Sequence, residues 1–281
     1  MGLYDAITGL SGTGRILLAA LASGHTDAEE GLIAALTVLT TMIGTPGGST
    51  RPGWWLPSDG HASTAHPATS GRAETGMAHG IAGPLAFLSA AASAGWTVPN
   101  QTSAISFCAE WLLTWQNPDL HTWPPHITGD ELDDEQPAIA PGRRDAWCYG
   151  SPGISRALHL AAQALQDRRF LTVADSSLAA LANRPGGRWD THGSTLCHGY
   201  SGVLQSTATS GSTAHDIAAA ATQAAFDPRH AFAFQHQHAG SSTNDPGLLT
   251  GAAGVALALA EHGKIPSPTV PTSWDAVLLL S

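Results

Sequence analysis

The stretch GSPGISRALHLAAQAL, residues 150–165, decides how the chain is read. Two glycines three apart stand before a run of alanine, leucine and small polar residues. Glycines at that spacing lie on one face of a helix's first turn, where they allow a sharp entry and a close neighbour. The pattern recurs as GLSGTGRILLAALA from Gly9, GIAGPLAFLSAAA from Gly80, GYSGVLQSTATS from Gly199 and GAAGVALALAEH from Gly251. The first glycines are 71, 70, 49 and 52 residues apart. About 50 residues accommodates two helices with their connections, so each repeat is expected to be a helix pair.

The runs that follow the glycines are apolar nearly all round, as expected of helices buried on most sides. Segments between them, such as DAEEGLIAALTVLTTMI and QTSAISFCAEWLLTW, are amphipathic and suit an outer layer. The longer gaps contain Pro/Gly/Ser-rich stretches at 44–76 and 117–145, which read as loop insertions. Helix pairs repeated in this way can close into an all-α ring, with an inner layer of helices carrying the glycine turns. An ordinary alanine-rich bundle with glycine turns fits the periodicity as well.

Composition narrows the partners. Hydrophobic residues make up 43% and charged residues 12%, with 12 basic against 22 acidic side chains and a net charge of −10. There is no basic stripe, which argues against nucleic acid. No apolar run reaches the length of a membrane span, and the start lacks the basic and apolar regions of a signal peptide. A soluble cytoplasmic protein is expected. Three cysteines argue against a disulfide framework and leave core thiols, a metal site or catalysis.

Thr8, His79, Tyr149, His198 and Thr250 each precede the first glycine of a repeat. If the inner helices begin around one mouth, these side chains converge there, among positive helix ends. Aligned on the glycines, WCYG and LCHG place Cys148 and Cys197 in equivalent positions, and His198 follows Cys197. A Cys₂His set with one open position is the arrangement of a catalytic zinc. The alternative is two small buried thiols beside a core histidine. Cys108, in the apolar stretch ISFCAEWLL, reads as a core thiol. His236 and His238 stand near no repeat start and read as loop or surface residues. The acidic run GDELDDEQ at 129–136 reads as a solvated loop, with a contact for a basic peptide as its functional alternative. Asp5, His79 and Arg144 are the remaining polar candidates, set against plain roles as a helix cap or loop anchors.

Together RRDAWCYGSPGIS, LCHGYSGVL, MAHGIAGPLAFL, DPGLLTGAAGVALAL and the closing SWDAVLLL resemble the lanthionine synthetase C family, the cyclases of lanthipeptide (lantibiotic) biosynthesis. The resemblance runs over essentially the whole chain. It implies an α/α toroid with one zinc ion held by Cys148, Cys197 and His198, and catalytic positions at Asp5, His79, Arg144 and Tyr149. The implied substrate is a precursor peptide whose Ser and Thr residues are already dehydrated. Peptide Cys thiols add to dehydroalanine or dehydrobutyrine, giving lanthionine or methyllanthionine thioether rings. A dehydratase and a peptide exporter are the implied partners in a biosynthetic complex, which could also bring a cytoplasmic protein to the membrane without insertion.

The chain departs from the family pattern at its start, MGLYDAITGLSG, which lies almost at the first repeat. Seven helix pairs close the family's ring, and this length suits about five. The expectation is a single toroid domain over residues 1–281, N-terminally truncated, with the ring incomplete. The competing functions are an inactive scaffold that binds modified peptide, a zinc-dependent prenyltransferase-like toroid, and a toroid that adds glutathione to dehydrated residues.

Overall fold

The computed structural model describes residues 2–44, 51–57, 71–134, 144–184, 189–238, 240–266 and 270–281. Ten α-helices and two short hairpins or ladders make up these parts. In chain order they are α1 (Leu10–Ala22), α2 (Glu29–Gly44), β1 (Arg72–Glu74), α3 (Ala82–Ser93), α4 (Gln101–Thr114), β2 (His126–Thr128) and α5 (Gly129–Asp134). There follow α6 (Ser151–Leu165), α7 (Arg168–Ala182), α8 (Tyr200–Ser206), α9 (Thr213–Ala224), β3 (His236–His238), β4 (Ser241–Thr243) and α10 (Ala252–His262).

Each glycine repeat starts an inner helix. α1, α3, α6, α8 and α10 pack one against the next, in that order. α2, α4, α7 and α9 pair with the first four and form the outer layer. The two layers differ in burial as their sequences require. The first twelve residues of α6, Ser151–Ala162, are all buried, whereas α2 buries a stripe of Leu32, Ala35, Leu36, Leu39 and Ile43. The fold is the α/α toroid, with five inner helices and four outer partners among the described residues. One continuous core runs from Tyr4 to Leu280. None of the described helices is long and apolar enough to cross a membrane.

Local signals set the helix ends. α6 starts behind Gly150 at φ 100°, with Pro152 in its first turn, where no amide donor is needed. α7 and α9 are capped by Asp167 and Ser212, which accept from Arg169 N and Ala214 N. The described parts of the two insertions are more ordered than the loops expected. β1 pairs with β2 in antiparallel register, Ala73 opposite Ile127. Six residues of the acidic run form α5, and Glu131 reaches back to accept from Thr128 N and Oγ1, both at 2.7 Å. That carboxylate at the third helical position turns the run into a capped helix. Residues 135 and 136 lie outside the described residues.

The glycine pattern has a double cause. A Cβ on the second glycine of any repeat would collide with a carbonyl of its own loop: Gly12 with Ala6, Gly83 with Met77, Gly153 with Trp147, Gly202 with Leu196, Gly254 with Leu248. The same positions meet the preceding repeat, as where Gly153 faces Met77 Cβ and Gly202 faces Trp147 Cβ. Nested in this way, the loops are joined by backbone hydrogen bonds in series. Ala6 N donates to Ala78 O (3.0 Å), Ala78 N to Cys148 O (3.1 Å), Cys148 N to Cys197 O (3.4 Å) and Cys197 N to Leu249 O (2.8 Å). This belt fixes the mouth of the inner layer.

Residues 274–281 pack against α1, α6 and the loop that enters α6. After a 3-10 turn at Trp274–Leu278, Leu278, Leu279 and Leu280 are buried. Trp147 Nε1 donates to Leu278 O at 2.9 Å, Arg156 Nε to Leu280 O at 2.6 Å, and Arg15 Nη2 to Ser281 O at 2.8 Å.

Candidate functional site

The loops entering α1, α3, α6 and α8 bring Asp5, His79, Cys148, Tyr149, Cys197 and His198 to one mouth. Cys148 is buried, and Cys197, His198 and Tyr149 are half-buried. The Sγ atoms of Cys148 and Cys197 and a ring nitrogen of His198 all lie within 4.8 Å of one another. His198 Nδ1 is 3.0 Å from Cys148 Sγ. Two ligands of one tetrahedral zinc, at bond lengths near 2.0–2.3 Å, stand about 3.5–3.8 Å apart, so the cluster brackets the spacing such an ion needs. The donors also suit the ion, with two thiols and an imidazole held by the belt bond between their loops. Among the described residues this is the group that could hold a metal.

The two thiols share a proton unequally. Cys148 is held well above the ordinary thiol range, first by its hydrogen bond to Cys197 and then by burial. Cys197 is brought below that range, chiefly by accepting from Cys148, with His198 and the field of His79 adding to it. Cys197 is thus the readier of the two to give up its proton, and the thiolate is the form that binds metal.

Asp5 and His79 form a second unit. The Asp5 carboxylate is fully buried and its Oδ2 lies 3.0 Å from His79 Nδ1. Its Oδ1 accepts from Thr8 N at 2.7 Å and Ile7 N at 3.1 Å. Burial penalises the charge, but the Thr8 amide, the His79 ring and the Thr8 hydroxyl outweigh it and hold the carboxyl below the usual range. An ionised carboxylate only accepts, so Nδ1 of His79 carries a hydrogen and Nε2 is the nitrogen left for other work.

Tyr149 lies with its ring centroid 6.5 Å from that of His79. Its hydroxyl donates to Glu74, and burial, the charge of Glu74 and this bond push its pKa upward. Glu74, on β1, is itself buried and accepts from Arg72 Nε at 2.5 Å. The spacing of the glycine repeats carries no sign of Glu74, because it enters the site through the β1–β2 ladder.

Arg144 stands apart from the Asp5–His79 pair. Its Nη1 lies 3.1 Å from His192 Nδ1, its Nε lies 3.9 Å from Asp190, and its field acts on Cys148. Asp145 beside it is fully buried, paired with Arg184 and accepting from Asp190 N. Thr8 and Thr250 serve their own loops, on Asp5 and on Asp245 (2.6 Å). His236, expected away from the site, stands with its ring 6.5 Å from that of His198. The cause is the pairing of β3 with Gly193, a glycine at φ 68°. His238 belongs to the same strand. Cys108 is a core thiol of α4, fully buried and with its pKa raised by burial.

Inner helices in series, an outer layer, and a thiol–imidazole cluster at the mouth define a toroid with a metal-competent centre. The sequence matches the family described as "Lanthionine synthetase C-like protein" over residues 1–273. The chain belongs to that family. It is 29% identical over 210 residues to the nisin biosynthesis protein NisC of Lactococcus lactis subsp. lactis, covering 72% of this chain and 48% of NisC. It thus spans about half the length of that curated relative. The solved structure of a nisin cyclase superposes with a TM-score of 0.76 at 23% identity, covering 99% of this chain and 66% of the cyclase. At that identity the likeness establishes the fold.

Proposed function

We propose that residues 1–281 act as one toroid domain of a zinc-dependent lanthipeptide cyclase, which adds peptide Cys thiols to dehydroalanine and dehydrobutyrine. The observation that carries this reading is the Cys148–Cys197–His198 cluster beside the Asp5–His79 pair. A free thiol has a pKa near 8.5 and is mostly protonated at neutral pH, yet only the thiolate attacks. One zinc ion, held by Cys148, Cys197 and His198, would supply the Lewis acidity that keeps a substrate cysteine deprotonated.

The chain's own side chains manage the protons. As the sulfur–carbon bond forms at the β-carbon, the double-bond electrons move to the α-carbon and its carbonyl as an enolate. That α-carbon then takes a proton. The proton given up by the thiol leaves to solvent. His79 Nε2 gives one to the α-carbon in this scheme and takes one back from solvent before the next ring forms, and Asp5 steadies the ring in its charged form. Tyr149 is a poorer donor, because its proton is committed to Glu74. It can still position the peptide by accepting a hydrogen bond. Arg144, on the other flank, offers its charge to peptide carbonyls. Family membership supports a dehydrated precursor peptide as substrate and, with it, a cytoplasmic setting with a dehydratase and an exporter.

Two measurements test the reading. Purified protein should contain close to one zinc per chain, lost in Cys148→Ala. His79→Ala should keep the zinc and cyclise a dehydrated peptide about 10²–10⁴-fold more slowly. Metal-free protein with an unchanged fold would sink the cyclase reading and leave a peptide-binding scaffold. Wild-type rates in His79→Ala would remove the proton donor assigned here.

A further inference from the structure

Away from the glycine loops, a cleft lies between the inner helix α6, the outer helix α7 and the connection from α8 to α9. Its volume is about 260 Å³. Two buried side chains, Arg156 and His159, line it from α6. Gln163, Arg168, Asp175 and Thr209 stand around its edge.

Arg156 is the unusual member. Only 9% of it is exposed, and its hydrogen bonds run to two neutral acceptors, Leu280 O at 2.6 Å and Thr209 Oγ1 at 2.6 Å. A guanidinium has five N–H donors, so these partners leave donors over. None of the ion pairs among the described residues includes it. A largely buried cation whose contact partners are all neutral is costly, and an anion in contact with it lowers that cost. Burial lowers the guanidinium's hold on its proton, and the field of Asp275, which does not form an ion pair with it, acts the other way. Arg168 adds a second positive charge at the rim, and the Thr209 hydroxyl and Gln163 amide add donors. The opposing charge is Asp175, which lies 2.9 Å from His159 Nε2 and so has a partner of its own.

We propose that this cleft binds a small oxyanion, a phosphate or a short carboxylate, on the Arg156 guanidinium. A planar fork of N–H groups matches two oxygens of either. The volume is below that of pockets for drug-sized ligands, about 300–1,000 Å³, and suits an anion with a few waters. The site is independent of the metal cluster and of the cyclase reading. The bound anion also bears on the tail, since the same arginine holds Leu280.

Isothermal titration of the full chain with inorganic phosphate, and separately with acetate, at ionic strength held constant with sodium chloride, tests this. Saturable binding of one anion per chain is expected. Arg168→Gln should weaken it by about tenfold or more, which corresponds to about 1.4 kcal/mol. Asp175→Asn should tighten it, because an opposing charge is removed. Arg156→Gln should abolish it; if that variant does not fold, the Arg168 and Asp175 variants still decide. Phosphate binding without acetate binding identifies a tetrahedral oxyanion, and binding of both identifies a carboxylate-tolerant site. Absence of saturable heat with either anion, or affinities unchanged in Arg168→Gln and Asp175→Asn, overturns the proposal.

Discussion

Asp5 has no solvent exposure, and four groups hydrogen-bond its carboxylate, the amides of Ile7 and Thr8, the Thr8 hydroxyl and the His79 ring, so its charge is tightly specified. Its pKa is depressed in the folded chain, so the sign of its pH effect follows. The stabilisation is complete above the ordinary carboxylate value, near 3.9, and is lost as pH falls through the lower folded value. Wild type and Asp5→Asn should therefore differ in urea stability by a constant amount above about pH 5, and the gap should close below about pH 4. A gap that stays open in acid would mean that packing, not charge, is what Asn fails to replace. The legible part of this site was its cysteines, because two of them stood at equivalent places in a repeat. The pairing of Asp5 with His79 was not legible, since 74 residues separate them and only the nested loops bring them together. Glu74 and His236 were missed for a related reason: each arrives on a short strand whose pairing no periodicity announces.

The repeat itself was read correctly as a sequence of helix starts, but its glycines are doing more than allowing a turn. The second glycine of each repeat is excluded from carrying a side chain by the carbonyl six residues before it. Gly202→Ala should cost about 1–3 kcal/mol, the range for forcing extra volume into a packed site, read as a drop in the urea midpoint with an unchanged slope. Among the described residues, a Cβ on Gly44, at the end of α2, would meet nothing within 4 Å, and its φ is ordinary. There the same change should be neutral or stabilise by about 0.4–1 kcal/mol by restricting the unfolded chain. Equal effects at both positions would show that the nested loops do not govern the pattern. The insertions defeated pattern reading in a different way. Their Pro/Gly/Ser content marks them as loops, yet β1, β2 and α5 form because Glu131 caps a helix and Ala73 meets Ile127 across the ladder.

Across the whole chain, the belt of loop-to-loop bonds makes neighbouring repeats depend on one another. The amides of Ala78, Cys148 and Cys197 should exchange with solvent together, at a rate set by global unfolding, because each is a link between two repeats. Independent exchange of the three would contradict a continuous belt. The tail is the other long-range tie. Trp147→Phe keeps the ring but strands the buried Leu278 carbonyl, and about 1–3 kcal/mol of stability should go with it in a denaturant titration. An unchanged midpoint would mean that water takes over from the indole.

The tail also sets a schedule. Arg15 finds its acceptor 266 positions later, and Arg156 finds its own 124 positions later. At ribosomal speeds of about 5–20 residues per second, Arg15 waits on the order of 10–50 s after its own synthesis. During that interval the early helices exist without their clasp, so the nascent chain is at its most vulnerable to proteases and to stray association while it is still being made.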